Sequence, residues 1–217
     1  STDPLQHTAP ALYLGPYSRY QMIDAIDFAE LIGIVFHPAG TLPFFPHPSH
    51  LFSNCETSLE DLWGAASRSL RDNLRELNTP AAKFDLLESG LLARLRRVLP
   101  ASRNRVVDFA LEAVEASPDT TTIAGLTRSI GLSARRFSGL FREQVGVSPK
   151  LYCRIQRFQK AIECLHRGED LRWAELALAC GYYDQSHFAN DFRAFSGISP
   201  TTYSAAERPW ANHITVP

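Results

Sequence analysis

From Arg103 onward, apolar residues recur every three to four positions, whereas residues 1–56 follow no helical period. In the first stretch, Tyr20 to Ile26 and Leu31 to Phe36 are short apolar or alternating runs and predict strands. The segment from His37 to His50 is too rich in proline for regular structure. The period then changes. Thr57 with Glu60 three residues later forms a capping-box pattern. Leu59, Leu62, Trp63, Ala66, Leu70, Leu74 and Leu77 follow at helical spacing, which predicts a helix over 58–77. Thr79-Pro80 opens a second helix over 80–98, with the stripe Phe84, Leu87, Leu91 and Leu95. Pro100 ends it and marks a domain boundary.

Beyond that boundary the pattern predicts helices only. Arg103–Ala116 is amphipathic, Thr122–Ile130 is short, and Gly131-Leu132 makes a turn. Ser133 caps a helix to about Val145, Pro149–Leu165 is long, and Arg172–Cys180 is short again. After a turn at Gly181, Asp184 caps a helix to about Phe195. Two short helices joined by a tight glycine turn are a helix-turn-helix, and here the pattern occurs twice. Shifted by 51 residues, Phe137 meets Phe188, Phe141 meets Phe192, and Arg142 meets Arg193. Gly146-Val147-Ser148-Pro149 meets Gly197-Ile198-Ser199-Pro200, and Tyr152 meets Tyr203. A shift of 50 aligns Ala124 with Ala174, Leu126 with Leu176, and Gly131 with Gly181, so the extra residue falls in the turn. The expected fold is mainly α: a C-terminal double helix-turn-helix of about seven helices after a small α+β region of a few strands and two helices. The expected domains are 1–100 for sensing or dimerisation, 101–207 for DNA binding, and a tail over 208–217.

Charge sharpens this picture. The net charge of −1 over 217 residues hides an asymmetry. Residues 1–100 hold 8 Lys and Arg against 11 Asp and Glu, and residues 101–217 hold 14 against 12. Within 128–160, Arg128, Arg135, Arg136, Arg142, Lys150, Arg154, Arg157 and Lys160 face a single acid, Glu143. Such a field suits phosphate. A duplicated unit suggests a duplicated target, because successive major grooves on one face of B-DNA lie about 34 Å apart. Between 172 and 203 the balance reverses, with Arg172 and Arg193 against Glu175, Asp184 and Asp191, so the first unit is expected to supply most affinity.

The run Gly181-Tyr182-Tyr183-Asp184-Gln185-Ser186-His187-Phe188, with Phe192-Arg193 and Phe195-Ser196-Gly197-Ile198-Ser199-Pro200, resembles the signature of the AraC/XylS transcriptional regulators. Gly131 through Tyr152 is similar to that family's first helix-turn-helix, and the resemblance covers about 103–207. It implies a bacterial activator or repressor whose two units bind adjacent major grooves. Two positions depart from the family pattern. Thr127 stands where a small Ala usually lets two helices cross closely, and Gly139 stands where a base-reading side chain often sits.

Helix position and the resemblance together make Arg135 and Ser138 base-reading candidates, since Arg suits guanine O6 and N7. Arg136 and Arg142, aided by Arg154, are candidate phosphate contacts, which position without specifying. On the second helix Gln185, Ser186, Asn190 and Arg193 point outward, and Gln185 and Asn190 suit adenine. His187, beside Phe188, reads as a cap or packing residue.

The N-terminal half carries less chemistry. Phe36-His37-Pro38-Ala39-Gly40 and Leu59 through Gly64 resemble the region that precedes this domain in a poorly characterised AraC-like subgroup. A sensing barrel needs about eight strands, and two or three are predicted, so the barrel is truncated or a small sheet replaces it. His37, His47, His50 and Cys55 invite a zinc reading, but their spacing matches no standard site. No cofactor, metal site or catalytic constellation is expected, and the chain is read as no enzyme. Cys55, Cys153, Cys164 and Cys180 form no CxxC pair and suit free thiols in a reducing cytosol. Ser1-Thr2-Asp3-Pro4 has no signal-peptide pattern and the single Met is Met22, which predicts a fragment or processed chain. No apolar run approaches the roughly 20 residues of a membrane helix. The expected partners are double-stranded DNA, RNA polymerase, a small-molecule effector of unknown identity, and a second copy through 58–98. The expected location is the cytoplasm, at the bacterial nucleoid. Two alternatives stay open: an interaction module that has lost strong DNA binding, and a DNA-repair alkyl acceptor fused to an AraC-type domain.

Overall fold

The computed structural model describes residues 11–21, 31–45, 47–97, 104–168 and 172–206. Ten α-helices, one short 3-10 helix (Ser49–Phe52) and one two-stranded sheet are found among them. Strands β1 (Leu12–Leu14) and β2 (Glu56–Ser58) pair antiparallel, with Tyr13 opposite Thr57. Helices α1 (Leu59–Trp63), α2 (Ala65–Glu76) and α3 (Pro80–Arg97) follow. The remaining seven are α4 (Arg105–Ala116), α5 (Ile123–Ile130), α6 (Ala134–Val145), α7 (Pro149–His166), α8 (Trp173–Ala179), α9 (Gln185–Ser196) and α10 (Pro200–Ala205).

The helices start where side chains can take up the unbonded N–H groups of a first turn. Asn104, Thr122, Ser133, Ser148, Asp184 and Ser199 each accept a backbone N–H at a helix start. Gly146 and Gly197 end α6 and α9 in the left-handed region, at φ 94° and 78°, which glycine adopts without a Cβ clash.

The N-terminal half departs from the sequence expectation. Leu31–Phe36 is irregular, with Val35 97% exposed, and no strand among the described residues pairs with it. Tyr20 and Gln21 are also irregular, and the rest of the predicted strand Tyr20–Ile26 lies outside the described residues. The sheet forms instead from two three-residue segments that no alternation marks. The cap of α1 is Ser58, which accepts from the Glu60 N–H, while Thr57 is in the sheet. The single predicted helix over 58–77 is two, because Gly64 turns the chain at φ 60°. Thr79 caps α3 as expected, accepting the Ala82 N–H at 3.3 Å.

Three cores result. The first joins Val107, Leu111, Val114, Leu126, Phe137, Phe141, Val145 and Tyr152, with Ala39 contributed by the N-terminal half. The second joins Ala161, Ile162, Leu165, Leu176, Ala177, Tyr182, Phe188, Phe192 and Tyr203. Helix α7 serves both, with Tyr152 and Cys153 at one end and Ala161 to Leu165 at the other. The third is aromatic: Tyr13 stacks on Phe45 at 4.1 Å, and Phe45 on Trp63 at 5.5 Å. No helix among the described residues is long and apolar enough to cross a membrane.

Candidate nucleic-acid interface

The internal repeat of the sequence is a repeat of packing. Phe137 meets Phe141 edge-on at 5.7 Å, and Phe188 meets Phe192 at 5.6 Å. Phe141 meets Tyr152 at 5.5 Å, and Phe192 meets Tyr203 at 5.4 Å. Burying one stripe of α6 and of α9 turns the opposite stripe of each outward. The turn into α9 is longer than the turn into α6, running from Cys180 to Asp184.

On α6, Arg135, Arg136 and Arg142 are exposed, Ser138 is half-buried, and Gly139 leaves open space around its Cα. Arg128 on α5 and Lys150 on α7 are also exposed. None of these five cations has an ion-pair partner among the described residues. On α9, Gln185, Ser186, Asn190 and Arg193 are exposed. His187 belongs to the turn: its N–H is held by Asp184 at 2.7 Å, and its ring stands edge-on to Tyr182 at 5.3 Å.

The other three cations of the basic run are turned into the protein. Arg154 donates from Nε to Asp191 Oδ2 at 3.1 Å and from Nη2 to Oδ1 at 2.7 Å, and its guanidinium lies 5.2 Å from the Phe195 ring. Hydrogen bonding to Asp191 holds its pKa above the ordinary arginine value. Asp191 of α9 thus takes up the Nε–Nη2 edge of the guanidinium that the sequence reading assigned to DNA. Arg157 donates to the Pro118 carbonyl at 3.1 Å, and Lys160 donates to Asp119 at 3.1 Å. The hydrogen bond from Lys160 lowers the Asp119 pKa below its usual 3.8. The loop between α4 and α5 is thus fastened to α7. It also abuts the second turn, since a methyl group on Gly181 would lie 2.4 Å from the Asp119 Cα.

Sequence reasoning missed Asp191, Asp119 and Lys160 as a structural set. One signal was legible: Asp191 sits beside Phe188, Phe192 and Phe195 on the buried stripe of α9, where an unpaired carboxylate is costly. Thr127 satisfies its own hydroxyl by donating to Ile123 O at 3.0 Å within α5.

Elsewhere, His37, His47 and Cys55 are exposed. Among the described residues no three His, Cys, Asp or Glu side chains come together as a metal site. Cys153, Cys164 and Cys180 are buried, and no disulfide forms among the described residues.

This arrangement defines a class: paired helix-turn-helix units, each presenting the outer face of its second helix. Residues 126–206 match the model of a helix-turn-helix domain. The chain is 30% identical over 136 residues to the probable thc operon regulatory protein of Rhodococcus erythropolis, covering 58% of this chain and 40% of the relative. It is 36% identical over 72 residues to the transcriptional activator RhaR of Yersinia pseudotuberculosis, covering 33% of this chain and 24% of RhaR. A solved probable AraC family regulator from Rhodopseudomonas palustris is 31% identical, with a TM-score of 0.42, over 46% of this chain and 94% of that one. Residues 126–206 of this chain are thus a helix-turn-helix domain, and the chain is similar over part of its length to the Rhodococcus and Yersinia regulators. The chain spans well under half the length of the two curated relatives.

Proposed function

We propose that this protein regulates transcription by binding double-stranded DNA, with α6 and α9 in adjacent major grooves. The observation that carries this reading is the repeated ring geometry of the two units, together with five exposed cations on the side of the first. In this reading residues 101–207 are the DNA-binding domain, and 208–217 are a tail. Arg135 and Ser138 read bases from α6, and Gln185, Ser186 and Asn190 from α9. Arg136, Arg142 and Arg193 hold phosphates. Arg154 acts indirectly, by holding α9 on α7. Similarity to the transcriptional activator RhaR supports an activator role, and this reading adds RNA polymerase as second partner and a small effector.

The test is the salt dependence of binding to promoter fragments from the source genome. The three phosphate contacts give a log–log slope of roughly −2.7, at about 0.9 per contact. A flat slope, or no binding, overturns this reading and favours a protein-interaction module.

We further infer a homodimer through 58–98. Phe84, Leu87, Leu91, Leu92 and Leu95 of α3 line an open apolar groove of about 420 Å³ with Ile34 and Phe44. Phe84 is 55% exposed there, and contiguous exposed apolar surface marks interfaces. Sedimentation of the full chain at micromolar concentration should show a dimer that Leu95→Asp dissociates. A monomeric full chain rejects it.

A further inference from the structure

The two recognition helices end in equivalent glycines, Gly146 and Gly197, and one short N-terminal segment touches both. A methyl group built on Gly146 would lie 2.5 Å from Cγ of Pro16. One built on Gly197 would lie 2.5 Å from Cε1 of Tyr20. Pro16 and the Tyr20 ring therefore rest directly on the two bare backbone caps. We propose that Pro16–Tyr20 is a strap that sets the placement of α9 relative to α6, with Pro16 and Tyr20 as positioning residues.

The strap is built to hold. Its leading end is fixed by the Gly15 N–H donating to Cys55 O at 3.2 Å. Asn54 grips its middle: the Asn54 N–H donates to Pro16 O at 3.1 Å, and Asn54 Oδ1 accepts the Ser18 N–H at 2.8 Å. Asn54 adopts φ 55°, a conformation Asn tolerates better than most residues. The same stretch holds the end of α6, where Ser49 Oγ donates to Gln144 O at 2.8 Å and Ser53 Oγ donates to Gly146 O. The end of α6 is thus anchored to the N-terminal half at several points, and Tyr20 reaches from that anchor to the end of α9.

Mechanics decides what Tyr20 adds. The leading end of α9 is located by the contact of Asp119 with the Gly181 turn. Along its length α9 is held on α7 by the Arg154–Asp191 pair and by Phe192 against Phe158, and Tyr20 adds a further hold at its end, Gly197. Because β1 runs straight into Gly15, the same segment links the N-terminal sheet to the spacing of the two helices.

The first test needs no DNA. In a Cys55→Ser background the remaining thiols are buried. Spin labels at Glu143→Cys on α6 and Ala194→Cys on α9, both exposed positions, report the distance between the helices. The full chain should give one narrow distribution, and Tyr20→Phe should match it because the ring remains. Tyr20→Ala should broaden or shift it with unchanged helix content, and Pro16→Ala should do so more weakly. Tyr20 is 57% exposed, so its removal leaves the cores intact. An unchanged distribution in Tyr20→Ala overturns the strap.

The second test rests on the DNA-binding reading. Inserting one base pair between the half-sites displaces the second groove by about 3.4 Å and rotates it by about 35°. The full chain should lose at least tenfold in affinity, and Tyr20→Ala less than threefold. Equal losses overturn the strap. If the full chain binds no promoter, the DNA-binding reading fails while the distance measurement still judges the strap.

Discussion

Arg154 and Asp191 close a two-point ion pair between α7 and α9, at 3.1 and 2.7 Å. The two ends of the pair differ in burial: the Arg154 side chain is 36% exposed, and that of Asp191 is 10% exposed. Removing either partner therefore has unequal consequences. Arg154→Ala strands a nearly buried carboxylate and should cost about 2 kcal/mol, after allowance for screening at the exposed side. Asp191→Ala leaves an arginine that can turn to water and should cost about 1 kcal/mol or less. Urea midpoints of the two variants check the order. Arg154→Ala should also leave the salt slope of DNA binding unchanged, whereas a phosphate contact would lower it by about 0.9.

Gly139 lies inside α6 with nothing within 4 Å of a built Cβ. It carries the backbone entropy of glycine and no packing reason for it. Gly139→Ala should raise stability by about 0.5–1 kcal/mol, read as a higher urea midpoint. A loss of stability would mean that the outer face of α6 is covered.

Two buried tyrosines make the protein sensitive to alkali. Burial, then the charge of Glu115, raises the Tyr152 pKa above its ordinary 10.0. Burial, then the charge of Asp191, raises that of Tyr182. Both phenols stay neutral in the folded state at pH values where the unfolded chain ionises. Their contribution is complete below about pH 10 and is lost as pH rises from there toward the raised folded values. The Tyr182 hydroxyl is buried without a hydrogen-bond partner among the described residues, so Tyr182→Phe should be close to neutral at pH 7. The double variant Tyr152→Phe, Tyr182→Phe should flatten the fall in stability between pH 9 and 11. Urea titrations at several pH values decide, and an equally steep fall would assign the loss to other groups.

Arg135 and Arg142 stand on the same exposed face of α6, in its first and last turns. Arg135→Ala should cost about 1–3 kcal/mol at the true site and relax one base position. Arg142→Ala should weaken all sequences alike and reduce the salt slope by about 0.9. Binding selections with randomised sites distinguish them. Unchanged binding in both variants would place a different face of α6 against DNA.

The seven C-terminal helices were legible because their signals are local. Ser133, Ser148, Asp184 and Ser199 cap helices within three residues of themselves. The i, i+4 phenylalanine pairs report one buried stripe per helix, and the repeat of 51 aligned the two stripes. Local signals misled where a distant partner decides. Leu31–Phe36 has strand composition but no strand beside it among the described residues, while Leu12–Leu14 is a strand because Glu56–Ser58 lies alongside.

The candidate site divides in the same way. Sequence by itself determined the double helix-turn-helix and the outward placement of Arg135, Arg136, Arg142, Gln185, Asn190 and Arg193, since helix period and burial follow from neighbours along the chain. Only tertiary structure decided which cations are bare. Arg154, Arg157 and Lys160 look the same in sequence as Arg136 and Arg142, yet Asp191, Pro118 and Asp119 come to meet them from 37 to 41 residues away. It also decided that Pro16 and Tyr20 rest on the two glycine caps. A glycine marks where backbone can be approached, but what approaches it depends on how distant segments pack.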